Sequence, residues 1–379
     1  MKFLLVASVL AAGPLHAEGA ILSDPAALAA LRAAGPTSAW KGALREADEA
    51  LTLTPATVMD KTSTPPSGDK HDYYTLGSYY WPDPAKPGGP YINKDGQHNP
   101  ACDTDAYDKV GWDQLVHRLD GLSAGWALTH DARYAEQAAR LARAWFLDPA
   151  TRMNPHLTYG QVRPGHKGPA NGVIETGNLG RLVDSLSLLA DSPALSPADQ
   201  AGLQAWMKAY LAWLQSSWAG QKEAAAANNR GVWYDVQVAA LALYTSQPVQ
   251  AQDALKRSVE RLQAQVAADG SLPAELKRTK SFSYSVYDLK AFFTAARLGE
   301  RCGVDLWGDP RLRQAVAYLA PYADASKDWP YPQIEPRDQK GLAWLLAMGA
   351  RAWKQDALMK QAVKAGWKDE AGIRAALFR

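Results

Sequence analysis

Apolar residues recur at three- and four-residue spacing along most of the chain, the spacing of one face of an α-helix. Clear stretches are DARYAEQAARLARAWFL (131–147), PADQAGLQAWMKAYLAWLQSSW (197–218), AQDALKRSVERLQAQVAA (251–268), YDLKAFFTAARLGERCG (287–303) and GLAWLLAMGARAWK (341–354). Starts such as SPAD, GDP and THD supply capping side chains or a first-turn proline. The alternation expected of strands is scarce, so the pattern predicts an all-α protein of roughly a dozen helices. No Pro/Gly/Ser linker divides the chain, and no strict repeat marks a solenoid. The expected architecture is one domain over 18–379, an incomplete (α/α)6–7 toroid of antiparallel helix pairs.

The pattern lapses in two places, 55–106 and 148–173, both rich in Pro, Gly, His and Tyr. Long ordered loops in a compact domain are usually functional. It also lapses at the start, where MKFLLVASVLAAGPLHAEGA has an early lysine, a short apolar run and a small residue, Ala17. These features predict a secretory leader over 1–17 and a periplasmic or secreted protein. No later run is long enough to span a membrane.

Composition narrows the partners. Lysine and arginine (41) nearly balance aspartate and glutamate (39), and no basic run of the kind that tracks nucleic acid occurs. Tryptophan (14) and tyrosine (16) far outnumber phenylalanine (6), so most rings carry a polar edge. Sugar clefts need such rings, and so does a Trp-rich helical core. Cys102 and Cys302 are the only cysteines; an exported protein could bridge them, but one distant pair is no disulfide framework.

Three segments carry candidate chemistry. In HDYYTLGSYYWPDPAKPGGPYINKDGQHNP (71–100), Tyr79, Tyr80 and Trp81 could form a sugar-stacking wall with His71 as a polar contact. The same rings could instead clamp the loop to the domain. In HLTYGQVRPGHKGPANGVIETGNL (156–179), Arg163, His166 and Lys167 would suit an acidic sugar, or a solvated surface. The histidines there, ten residues apart with no carboxylate at ligand spacing, do not indicate a metal. In PAELKRTKSFSYSVYDLKAFF (273–293), Arg278 precedes Tyr284 and Tyr287. On a helix, six residues would place Arg278 and Tyr284 about 240° apart. Their meeting requires a non-helical break, and a cation beside a tyrosine would lower its pKa.

A fourth feature is AANNRGVWYD (226–235), where two asparagines open a helix although one is enough to cap it. Together with DYYTLGSYYWPDPAKPGGPYINKDGQHNP, GVIETGNL, ELKRTKSFSYSVYDL and WPYPQIEP, this run resembles, in order and approximate spacing, the alginate lyase superfamily of polysaccharide lyases. The likeness covers about residues 70–340. It implies an α/α toroid, an acidic polysaccharide substrate, no cofactor, and β-elimination at a 1,4-linked uronic acid.

That reaction must neutralise the carboxylate beside C5, stabilise an enolate, remove the C5 proton and protonate O4. The resemblance assigns the carboxylate to Asn228 and Asn229, with Asn229 the preferred contact, and the proton chemistry to Tyr284 aided by Arg278. Tyr287 and Arg230 are further substrate contacts. Arg230 departs from the family pattern, which has histidine after the asparagine pair. A guanidinium does not accept a proton, although it can pair with a carboxylate. The departure favours mannuronan or glucuronan, whose C5 proton and O4 share a face so that one tyrosine serves as base and then acid. His71 or His166 could otherwise replace the missing imidazole. The competing readings are a toroid glycoside hydrolase, drawing two carboxyls from Glu175, Asp235, Glu275 and Asp288, and a non-catalytic periplasmic glycan-binding protein.

Overall fold

Each periodic stretch becomes a helix. A computed structural model describes residues 20–167 and 172–368, and the leader expected over 1–17 lies outside them. Among the described residues the helices are α1 (Pro25–Ala34), α2 (Ser38–Leu51), α3 (Lys109–Thr129), α4 (Ala132–Phe146), α5 (Leu179–Leu188), α6 (Pro197–Ser216), α7 (Trp218–Ala224), α8 (Asn229–Tyr244), α9 (Pro248–Gln265), α10 (Pro273–Leu276), α11 (Ser281–Gly299), α12 (Pro310–Leu319), α13 (Gln339–Trp353) and α14 (Asp356–Lys364). The expected caps are present. Ser196 and Asp199 form a reciprocal capping box on α6, and Asp131 and Asp309 cap α4 and α12.

An inner row runs α3, α5, α8, α11, α13, each helix against the next. Twelve of the sixteen residues of α8 are buried, which marks a helix covered on all sides. Outer helices back this row: α2 and α4 against α3, α6 and α9 against α8, and α12 and α14 against α13. The result is the expected α/α toroid, and no described helix is long and apolar enough to cross a membrane. The buried Asp235 of α8 is held by Arg257 (2.6 Å) and Arg261 (2.7 Å) of α9, an ionic tie between the rows.

The segment 20–23 closes onto the inner row. The Leu22 and Ser23 amides donate to Asp184 of α5 at 2.7 and 3.1 Å, and Arg297 of α11 donates to the Leu22 carbonyl. Cys102 and Cys302 are not bridged. Their thiols face the Leu76 and Leu298 carbonyls respectively, and burial raises the pKa of both.

The two lapses in periodicity fold against each other. Strand β1 (Tyr74–Leu76) pairs in parallel with β4 (Tyr159–Val162), while β2 (Tyr80–Trp81) and β3 (Ile92–Asn93) form an antiparallel pair. Glu175, on the short 3-10 turn Val173–Thr176, turns its carboxyl inward and accepts hydrogen bonds from Tyr73 (3.1 Å) and Thr75 (2.7 Å). Thr75 in turn accepts from the Gln161 amide at 2.7 Å. The paired loops thus lie across the end of the toroid where α8 and α11 begin.

Candidate active site

The first loop is pinned to the start of α11 by Asp95. Its carboxylate accepts from Arg278 Nε (3.1 Å) and Nη2 (2.5 Å) and from the Thr279 amide (3.2 Å). Gly96 makes this approach feasible: it has a φ of 74°, and a Cβ there would lie 2.3 Å from the Thr279 hydroxyl. The hairpin β2–β3 and Tyr79 are thereby held over the helix start.

Neither asparagine is a side-chain cap. Asn228 occupies the N-cap position of α8 but its side chain makes no capping bond, and it lines the cleft. Asn229 is buried, and its backbone N–H and its amide Nδ2 both donate to Glu275 Oε1, at 3.0 and 2.8 Å. A carboxylate from α10 therefore satisfies the helix start. Both asparagines line the cleft; one amide N–H of Asn229 is engaged by Glu275, while Asn228 makes no capping bond. Glu275 and the fully buried Asp288 of α11 both have raised pKa values, chiefly through burial, and Asp288 is raised further by Glu275.

Arg278 and Tyr284 meet because the chain breaks between α10 and α11. Residues 277–280 are non-helical, α11 begins at Ser281, and Tyr284 sits in its first turn. The Arg278 guanidinium carbon lies 3.8 Å from the Tyr284 ring centroid, over the ring face. The Tyr284 hydroxyl donates to that of Tyr79 at 2.6 Å. The expected lowering of the tyrosine pKa is not found. Burial and the Tyr79 hydrogen bond push it well above the ordinary phenol value, against the smaller pull of Arg278. The guanidinium is shared with Asp95 and covers the ring, so its charge is partly spent before it reaches the hydroxyl.

These groups line one cleft of about 1040 Å³, which Tyr79, Tyr80, Asn228, Asn229, Arg230 and Tyr287 share with Arg278 and Tyr284. Arg230 is anchored by the buried Glu223 of α7, with Nη2 at 2.8 Å from Oε1. Tyr287 packs against Trp233 in a tilted arrangement with ring centroids 5.1 Å apart. Three candidates lie outside the lining. His71 binds the Arg152 carbonyl (2.6 Å) and ties the two loops together. Trp81 donates to the Gln97 carbonyl (2.9 Å) within its own loop. His166 sits behind Tyr80, edge-on at 5.6 Å, with Nε2 on the Tyr91 carbonyl. Of these rings, Tyr79 and Tyr80 reach the cleft, and Trp81 braces its own loop.

Asp95, Gln161, Lys222 and Lys280 also line the cleft, although none was a candidate. Asp95 is 183 positions from Arg278, and no local pattern could link them. Glu275, three residues before Arg278 in ELKR, is expected from sequence only as a hydrolase carboxyl, yet it serves the start of α8. Five cations (Arg163, Lys222, Arg230, Arg278, Lys280) face three acids (Asp95, Glu335, Asp338) across the lining. Each acid is paired with a cation, Glu335 with Lys280 (2.7 Å) and Asp338 with Lys290 (3.1 Å). The starts of α8 and α11 add their positive dipole ends. The cleft is built for an anion. None of the four carboxyls considered for hydrolysis lines the cleft: Asp235, Glu275 and Asp288 are buried, Glu175 is held by Tyr73 and Thr75, and Asp235 is consumed by its two arginines.

Comparison with known proteins agrees with this geometry. The family model for alginate lyase matches residues 57–329. An alginate lyase structure from Bacteroides ovatus is 34% identical, covers 96% of this chain and 99% of its own, and superposes with a TM-score of 0.89. Alginate lyase A1-III complexed with tetrasaccharide is 17% identical, with 92% of this chain and 97% of that chain covered and a TM-score of 0.57; it supports the fold alone. No curated protein matches the chain. With a helical toroid, an anion-binding cleft, and a family match over most of its length, the chain belongs to the alginate lyase family and is a polysaccharide lyase.

Proposed function

We propose that the enzyme cleaves a β-1,4-linked uronic acid polymer, mannuronan (alginate) or glucuronan, by syn β-elimination with Tyr284 as both base and acid. The observation that carries this reading is the placement of the Tyr284 hydroxyl in a cleft shared with Arg278, Asn228 and Asn229. No histidine is among the described residues that line it. The Bacteroides ovatus relative is an alginate lyase by name, which favours alginate as the polymer.

In this reading Asn228, assisted by Arg230 and the start of α8, neutralises the carboxylate next to C5. Tyr284 removes the C5 proton, and the C–H electron pair becomes the C4=C5 double bond as the C4–O4 bond breaks. The proton then passes from the same hydroxyl to O4, giving a new reducing end and a 4,5-unsaturated uronate. Proton and leaving oxygen share one face, so a single oxygen serves both steps. The resting Tyr284 is the phenol, hydrogen-bonded to Tyr79. The reactive form is its phenolate, reached by loss of that proton to solvent; the phenolate takes the C5 proton, hands it to O4 and ends again as phenolate.

Incubation with mannuronan, glucuronan and guluronan separately tests the reading. Syn elimination predicts ultraviolet-absorbing unsaturated products from the first two, and little from guluronan. Reducing ends without that absorbance would overturn it in favour of hydrolysis, and binding without cleavage in favour of a glycan-binding protein. Efficient turnover of guluronan alone would overturn the syn assignment.

A further inference from the structure

Helix α7 runs along one rim of the cleft and ends just before Asn228. It carries Trp218, a residue 48% exposed, an unusual position for a large ring in a chain whose other tryptophans are largely covered. One turn further, Lys222 lines the cleft and sets its ammonium 4.8 Å from the Trp218 ring centroid. The ammonium lies over the indole, so ring and cation form one joined unit between the open rim and the cleft wall.

The unit has a rigid base. Ser217 caps α7 by accepting from the Gly220 amide at 3.1 Å. Gly220 lies so close to the end of α6 that a Cβ there would be 1.6 Å from the Leu214 carbonyl oxygen. Glu223, buried on the inner face of α7, holds Arg230 of α8. Trp218 is thus fixed relative to the catalytic end of α8, as a binding group must be to contribute affinity without a large ordering cost.

Resting on the lyase reading above, we propose that Trp218 and Lys222 form an outer subsite for a uronate unit of the polymer distant from the bond being cut. The apolar face of the sugar lies on the indole, and its carboxylate pairs with the Lys222 ammonium, a combination of stacking and charge suited to an acidic saccharide. Such a subsite acts on long chains and is out of reach for short ones.

The test compares wild type with Trp218→Ala and Trp218→Phe on mannuronan and on a mannuronate trisaccharide. For Trp218→Ala the ratio of kcat/KM on polymer to that on trisaccharide should fall about 5- to 10-fold, through a higher KM for the polymer. Trp218→Phe should restore most of it. A ratio within twofold of wild type overturns the inference. So does a change in molar mass with the ratio unmoved, which would make Trp218 a contact between copies of the chain. Should the wild type release no unsaturated product, the lyase reading itself fails. Retardation in gels containing mannuronan still tests the subsite in that case, and equal retardation of wild type and Trp218→Ala overturns it.

Discussion

The Arg278 guanidinium carbon lies over the Tyr284 ring, 3.8 Å from its centroid, while Asp95 binds the same guanidinium. Tyr284 is therefore held by stacking on one side and by its hydrogen bond to Tyr79 at the tip. Removing the hydroxyl leaves the stacked ring in place. Tyr284→Phe should lower formation of unsaturated product by about 10²- to 10⁴-fold with an unchanged circular dichroism spectrum. Near-normal turnover in that variant would remove Tyr284 from the chemistry.

The asparagine pair divides into two jobs, and the two alanine variants should separate them. Asn228 makes no capping bond, so Asn228→Ala should cut kcat/KM while leaving the unfolding midpoint where it was. Asn229→Ala takes one donor from the buried Glu275 and should cost about 1–3 kcal/mol of stability as well as activity. Urea denaturation alongside ultraviolet assays checks both. Equal destabilisation by the two substitutions would contradict this division.

The raised pKa of Tyr284 has a kinetic sign. The basic form of a group below its pKa grows tenfold for each pH unit, so proton removal should accelerate as the medium becomes alkaline. The pH profile of kcat/KM should climb from neutral pH into the alkaline range. An optimum on the acidic side of neutrality would assign the base to another group.

Glu175 predicts a pH effect on stability rather than on chemistry. Its carboxyl is pushed up to about 7 from an ordinary 4.5, first by burial, against the hydrogen bonds from Thr75 and Tyr73. A raised folded-state pKa means that its contribution to stability is complete below about 4.5 and is lost as pH rises through about 7. Glu175→Gln should flatten the decline in urea midpoint across that window. A slope unchanged from wild type would show that Glu175 does not titrate there.

The helices, their caps and the toroid class were legible in the sequence because burial of a helix face imposes a local period that survives in one dimension. The asparagine pair, Arg278 and Tyr284 were legible too, through the resemblance of their motifs, and the Ser/Thr-rich break before Tyr284 could be anticipated from its geometry. What lay beyond reach depends on partners far apart in the chain. No local signal distinguishes Tyr79 and Tyr80, which face the cleft, from Trp81, which binds its own loop. None reveals that Glu275 would engage Asn229, or that Asp95 would share the guanidinium expected to act on Tyr284 alone. The rise of the tyrosine pKa, where the neighbouring cation alone implies a fall, has the same cause. A neighbouring charge can be guessed from sequence, but burial and competing partners are set by the folded surroundings, and here they outweigh it. Sequence determined which elements form and which residue types are available for the chemistry; the tertiary structure alone decided which of them face the cleft, because facing, burial and pairing are properties of contacts between distant segments.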